Sequence, residues 1–252
     1  QLYFRIAEQI PWTDLCESIL ARFAREAGYP HPALLGEAGF DERLAQANGV
    51  DTSVVRMELR NLVAQKILKR HWLLRDFRVA VTQLCLAHQS GGPQGDSVRL
   101  DVEGWLTGTN QSISSVKLYA IHNKITRANA RLMLESLMQW VRYAERPGVV
   151  IVLDAARLSA ARRSDDGLLF YPKAQLLDAY EVLRQFIDGT ARLQGCLLVV
   201  IPASEFLDIE PSSRGMGAYD ALKFRVYDEI HDQRLANPMS ALVRLSARGR
   251  VQ

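Results

Sequence analysis

The chain has 252 residues, 48% of them hydrophobic and 23% charged, with a formal net charge of +3. It is long and apolar enough to bury a substantial core, as one large domain or one and a half, and its ordinary composition excludes disordered and fibrous classes. The slight basic surplus permits contact with nucleic acid without demanding it. Cys16, Cys85 and Cys196 lie far apart, each in an apolar stretch. An odd count without a CxxC pair argues against a disulfide framework or a zinc site, and for a reducing compartment. No apolar run approaches the roughly 20 residues that span a bilayer, and no signal peptide is visible. The expectation is a soluble, cytoplasmic chain with no membrane partner. It starts at Gln1 without a Met and stops at Gln252 in a polar stretch, so it reads as a fragment or as the ordered part of a longer protein.

Taken in order, the first half is mainly helical. Thr13 to Ala27 carries Leu15, Ile19, Leu20 and Phe23 at helical spacing and stops near Gly28. A loop with Pro30, Pro32 and Gly36 follows. Asp41–Asn48 and Asp51–Arg70 then read as two helices parted by Gly49, and Arg75–His88 as a third. The stretch from Gln89 to Ser97, with Gly91, Gly92, Pro93 and Gly95, reads as a mobile loop. Ile113 to Glu145 reads as a long helical pair. In the second half, Val149–Asp154 and Cys196–Ile201 are short apolar runs flanking an amphipathic helix from Lys173 to Gly189, the pattern of buried parallel strands in a βαβ unit.

Val149-Val-Ile-Val-Leu-Asp154 is the chemically informative run. In P-loop enzymes a buried strand delivers an Asp at its C-terminal edge, where it orders the magnesium ion of a bound nucleotide. Asp154 is therefore the candidate metal and cofactor residue, its alternative being an N-cap of whatever follows. ATPases of this design place a Glu next, to polarise the attacking water. Here the next residue is Ala155, which can neither accept a proton nor orient water, so hydrolysis is expected to be weak or absent unless Asp165, Asp166 or Glu205 substitutes. A G-x-x-x-x-G-K-[ST] phosphate cradle is missing: the Gly91–Gly95 region has neither the Lys nor a strand-to-helix setting. The fold class expected is α/β, a P-loop NTPase core with parallel strands and a large helical insertion.

Gly104-Trp-Leu-Thr-Gly108, Asn129-Ala-Arg-Leu-Met-Leu-Glu-Ser-Leu137, Val149–Asp154, Leu177-Asp-Ala-Tyr-Glu-Val-Leu-Arg184, Leu198-Val-Val-Ile-Pro-Ala-Ser204 and Arg214-Gly-Met-Gly-Ala-Tyr-Asp-Ala-Leu-Lys-Phe-Arg225 follow one another in the chain. On these segments the chain from about Gly104 onward resembles the ATP-binding P-loop proteins of BREX phage-defence systems, the BrxD-like family. The resemblance implies an AAA+-like fold, ATP and Mg2+ as cofactors, and a ring or partner assembly with other defence proteins, acting on DNA. It implies Asp154 as the magnesium-ordering carboxylate and Ser204 as a sensor of the γ-phosphate. Arg214 and Arg225 become candidate arginine fingers acting across a subunit boundary. Ser204 as a helix cap, and the two arginines as surface ion-pair residues, stay open beside these roles. The resulting division is a mainly helical segment 1–103 and an α/β core 104–252, with a Walker-B-like strand at 149–154 and a sensor-like strand at 196–201.

Ala45, Gly49, Val55 and Leu59 also fall at the spacing of a helix-turn-helix, with Asp51 capping its second helix. Thr52, Ser53, Arg56 and Arg60 would then face outward to DNA, with Lys66, Lys69 and Arg70 beyond to meet phosphates. Packed helices joined by Asn-Gly look the same without any DNA, and Glu58 would repel phosphate. Three readings stand: an ATP-binding subunit of an anti-phage system, a pseudo-ATPase scaffold for protein interaction, and a DNA-binding helix-turn-helix protein.

Overall fold

The computed structural model describes residues 2–110, 112–158, 162–211 and 213–227. The last 25 residues of the expected 104–252 core fall outside the described residues. Two compact units divide the chain, one holding residues 1–149 with 194–196 and the other residues 150–193 with 197–252.

The first unit is all-helical apart from the strand starts it lends. It contains α1 (Leu2–Ala7), α2 (Trp12–Ala27), α3 (Phe40–Asn48), α4 (Thr52–Val63), α5 (Arg75–Ser90), α6 (Gly92–Thr107), α7 (Ile113–Lys117) and α8 (Ala130–Tyr143). The predicted apolar stripe of α2 is buried: Leu15, Ile19, Leu20 and Phe23 have almost no exposed surface. Gly28 ends the helix in the left-handed conformation expected of a C-terminal glycine. Asp51 caps α4 by accepting from the Ser53 N–H at 2.7 Å. The predicted α4 extends to Arg70, whereas the regular helix stops at Val63 and continues as a π turn, Ala64–Leu68.

Two stretches depart from the sequence expectation. Gln89–Ser97 is not a mobile loop but a tight turn at Gly91 between two packed antiparallel helices. Gly91 adopts φ 61°, and Pro93 sits in the first turn of α6, where its missing N–H costs nothing. Gly95 serves close packing: a Cβ there would lie 2.6 Å from the Ala87 carbonyl oxygen. Residues 118–129 are not helical, so the predicted long pair reduces to short α7 and full-length α8. The reason is the buried carboxylate of Asp76, which accepts from the Asn123 backbone N–H at 2.9 Å and its side-chain amide at 2.8 Å. These bonds, with Asn129 closing onto Lys124 and Thr126, hold an irregular turn that the apolar spacing does not foreshadow.

The second unit is built on β1 (Val149–Ala155), α9 (Lys173–Asp188), β2 (Cys196–Pro202) and α10 (Asp220–Tyr227). The strands pair side by side as a two-stranded parallel sheet, in the βαβ order the sequence predicts. Its core is Leu176, Tyr180, Leu183, Phe206, Met216, Leu222 and Val226, against which Leu153 and Val200 pack from the inner sheet face. Overall the chain is a helix-rich α/β protein. No helix among the described residues is long and apolar enough to cross a membrane.

Candidate functional site at the carboxyl end of the sheet

Side chains alternate along a strand, so residues two apart share a face. Ile151 and Ala155 are buried on the α9 side of β1, while Val150, Val152 and Asp154 lie on the other face. Leu197, Val199 and Ile201 of β2 share that second face. Among the described residues nothing covers it: Val150 is 65% exposed, Val152 60% and Leu197 58%. Asp154 stands at its C-terminal corner, exposed, with Oδ1 accepting the Ala156 N–H at 3.0 Å. A single exposed carboxylate at the carboxyl edge of a parallel strand suits magnesium, which is held by one or two carboxylates with phosphates and water. Among the described residues no cluster of three or more His, Cys, Asp or Glu could hold an ion without such help.

Ser204 follows β2 at the same end of the sheet. It opens a 3-10 turn, Ser204–Leu207, whose cap position is Ala203, and no side-chain cap bond forms. The capping alternative for Ser204 is therefore corrected. Its Oγ instead donates to the neighbouring Glu205 carboxylate at 3.2 Å. Arg214 lies by the start of α9, where its Nη2 donates to the Tyr171 carbonyl at 2.6 Å and its own carbonyl accepts from the Tyr180 hydroxyl at 2.6 Å. Burial, weakly opposed by Arg214, pushes the Tyr180 hydroxyl up to about 12. Arg225 is elsewhere: its Nε donates to Asp188 at 2.8 Å, at the far end of α9. That bond, with help from Arg184, lowers the Asp188 carboxyl. Since α9 climbs ~1.5 Å per residue, Arg214 and Arg225 mark opposite ends of a 16-residue helix. The structure thus gathers Asp154, Ser204 and Arg214 toward one end of the second unit and leaves Arg225 at the other.

A network the sequence reading missed lies on α9. Glu181 accepts from Arg184, Gln185 and the Tyr219 hydroxyl, and these bonds, Arg184's first, hold its carboxyl well below the usual range. The i, i+3 spacing of Glu181 and Arg184 signals their pairing; the contribution of Tyr219, 38 residues away, has no local signal.

In the first unit the helix-turn-helix spacing yields two packed helices. Ala45, Val55 and Leu59 are buried, and Gly49 turns the chain at φ 64°. Thr52 is half-buried at the start of α4, and Ser53, Arg56 and Arg60 are exposed. Arg56 is occupied: its Nε donates at 2.6 Å to the fully buried carboxylate of Asp41. The outward face between them carries Val54 and Met57, exposed and apolar. Glu58, feared as a phosphate repellent, accepts from the Tyr29 hydroxyl at 2.7 Å.

Comparison with the curated proteins and with the solved structures gives no match. A family model described as BREX system ATP-binding protein BrxC/D matches residues 40–248, reaching back from the Gly104 border through α5, α4 and α3. A match over most of the chain places it: this protein belongs to the BREX system ATP-binding protein BrxC/D family.

Proposed function

We propose that the chain is the magnesium-ordering part of an ATP-binding protein in a BREX-type defence system, its phosphate cradle supplied from outside these 252 residues. One observation carries the reading: a parallel sheet with one exposed apolar face and a carboxylate, Asp154, at the carboxyl corner of that face. Parallel sheets are covered on both faces in stable folds, and large exposed apolar patches mark missing partners. Further strands and helices bearing a G-x-x-x-x-G-K-[ST] loop would cover Val150, Val152, Leu197 and Ile201 and bring phosphates to Asp154. Bound magnesium would neutralise phosphate charge. The protein's own part is to orient that ion through Asp154, with Ser204 and Arg214 at the same end of the unit for the outermost phosphate. Arg225, at the opposite end of α9, would serve a nucleotide in a neighbouring subunit.

The test is calorimetric titration of ATP with magnesium into the full-length natural protein, beside the same protein carrying Asp154→Ala. Magnesium-dependent binding weakened at least tenfold by the substitution is the expected result. A folded protein that binds equally well with and without the Asp154 carboxylate would sink it. A second reading, a nucleotide-free scaffold, draws on the internal bonds that already occupy Ser204, Arg214 and Arg225; complete absence of ATP binding would favour it.

A further inference from the structure

Several basic side chains gather at one place on the helical unit. The C-terminal ends of α2 and α8 meet the π turn Ala64–Leu68 around the ring of Tyr143. Arg22 stacks on that ring, its guanidinium carbon 4.0 Å from the centroid, and donates to the Tyr143 carbonyl at 2.6 Å. The Tyr143 hydroxyl donates to the Lys66 carbonyl at 3.3 Å, and Lys66 pairs with Glu26 of α2. Arg25 reaches Glu145 at 3.1 Å, and Arg146 reaches Ser18 at 3.3 Å. Lys69 and Arg70 follow the π turn, both exposed, whereas Arg142 in the last turn of α8 turns away to donate to Gln194 at 3.0 Å.

Six cations thus gather on these helix ends, Arg22 among them with little exposure, and among the described residues Glu26 and Glu145 answer them, with Glu58 held nearby by Tyr29 just past the α2 end. From Leu59 to Arg75 the chain has no Asp or Glu at all. Cations favour helix C-termini because of the helix dipole, but one or two per end satisfy that preference.

We propose that this basic pole binds the phosphate backbone of a nucleic acid, without reading its sequence. Besides Arg22, three of these cations, Arg25, Arg70 and Arg146, are arginines, whose planar guanidinium matches phosphate oxygens in pairs. A protein partner would need apolar anchors at the centre of the surface. On the converging ends the one large apolar side chain with notable exposure is Leu68, at 39%. The pole keeps Lys66, Lys69 and Arg70, expected from sequence to meet phosphates, but not the α4 face expected to read DNA, which is apolar at Val54 and Met57 and whose Arg56 is engaged by Asp41.

Fluorescence anisotropy of the full chain, without nucleotide, on labelled duplexes of two unrelated sequences over a range of salt tests this. Equal affinities are expected, with the logarithm of affinity falling linearly against the logarithm of salt. Lys69→Ala with Arg70→Ala should make that slope shallower by about two, and Arg146→Ala alone by about one. Arg99→Ala, which breaks an exposed pair with Asp96 on α6, should leave it unchanged. No binding at low salt, or wild-type slopes in both pole variants, would overturn the proposal. Strong preference for one duplex would also overturn it, in favour of base reading by α4. Equal competition by polyglutamate of matched charge would do so in favour of an acidic protein partner. None of these outcomes depends on ATP binding.

Discussion

Ala155 follows Asp154 by one residue and so points the opposite way, into the apolar layer beneath the sheet, where it is 4% exposed. From sequence it reads as a lost catalytic Glu. The pleat adds that a longer acid there would face the core and not the corner where Asp154 stands. An unpaired carboxylate in such a layer is strongly penalised. Ala155→Glu should therefore lower stability by roughly 3 kcal/mol or more and confer no ATP turnover, read by thermal melting and a phosphate-release assay. An unchanged melting temperature with new turnover would show that residue 155 faces the nucleotide after all. Asp41 gives the same lesson in the first unit. Its burial and its bond to Arg56, 15 residues on, place an expected DNA reader in an ion pair, and nothing in the local pattern around Arg56 indicates that.

At the level of elements, the strands, α9 and most helices are legible because hydrophobic period and punctuating glycines agree. The reading fails where a distant polar group dictates the backbone, as Asp76 does for residues 118–129, or where glycine serves contact and not mobility. The start of the sheet is such a contact. The Val149 N–H donates to the Gly195 carbonyl at 2.8 Å, and Gly148 lies at φ 154° with its absent Cβ 2.1 Å from that carbonyl oxygen. Gly148→Ala must displace backbone and should cost about 3 kcal/mol. Gly195→Ala meets only the flexible Arg142 side chain besides its left-handed φ of 74°, and should cost about 1 kcal/mol. Chemical denaturation of the two variants checks the order. Equal small losses would mean that the two glycines do not fix how the strands begin.

Across the whole molecule, acid is an informative perturbation. Burial alone would raise the Glu17 carboxyl, but hydrogen bonds from His88 and Arg43 outweigh it and hold it at about 2, below its ordinary 4.5. A carboxyl depressed by folding adds stability above its unfolded value and loses it as pH falls through the folded one. The advantage of wild type over Glu17→Gln should thus be full above pH 4.5 and vanish toward about 2; an advantage independent of pH would mean the site acts by packing alone. Sequence shows neither this cluster, joined across 26 and 71 residues, nor how Arg22, Arg25 and Arg146 join Lys66, Lys69 and Arg70, because both depend on which helix ends meet. It does show the strand carrying Asp154, as a continuous apolar run, although only one face of that strand is buried. The same run has a cost during synthesis. Made without whatever covers that face, Val150, Val152, Leu197 and Ile201 present a β-prone apolar surface, and residues 1–252 alone should self-associate. Its yield in soluble form should rise when the strands and helices proposed to cover the face are made with it, whether joined to it or beside it.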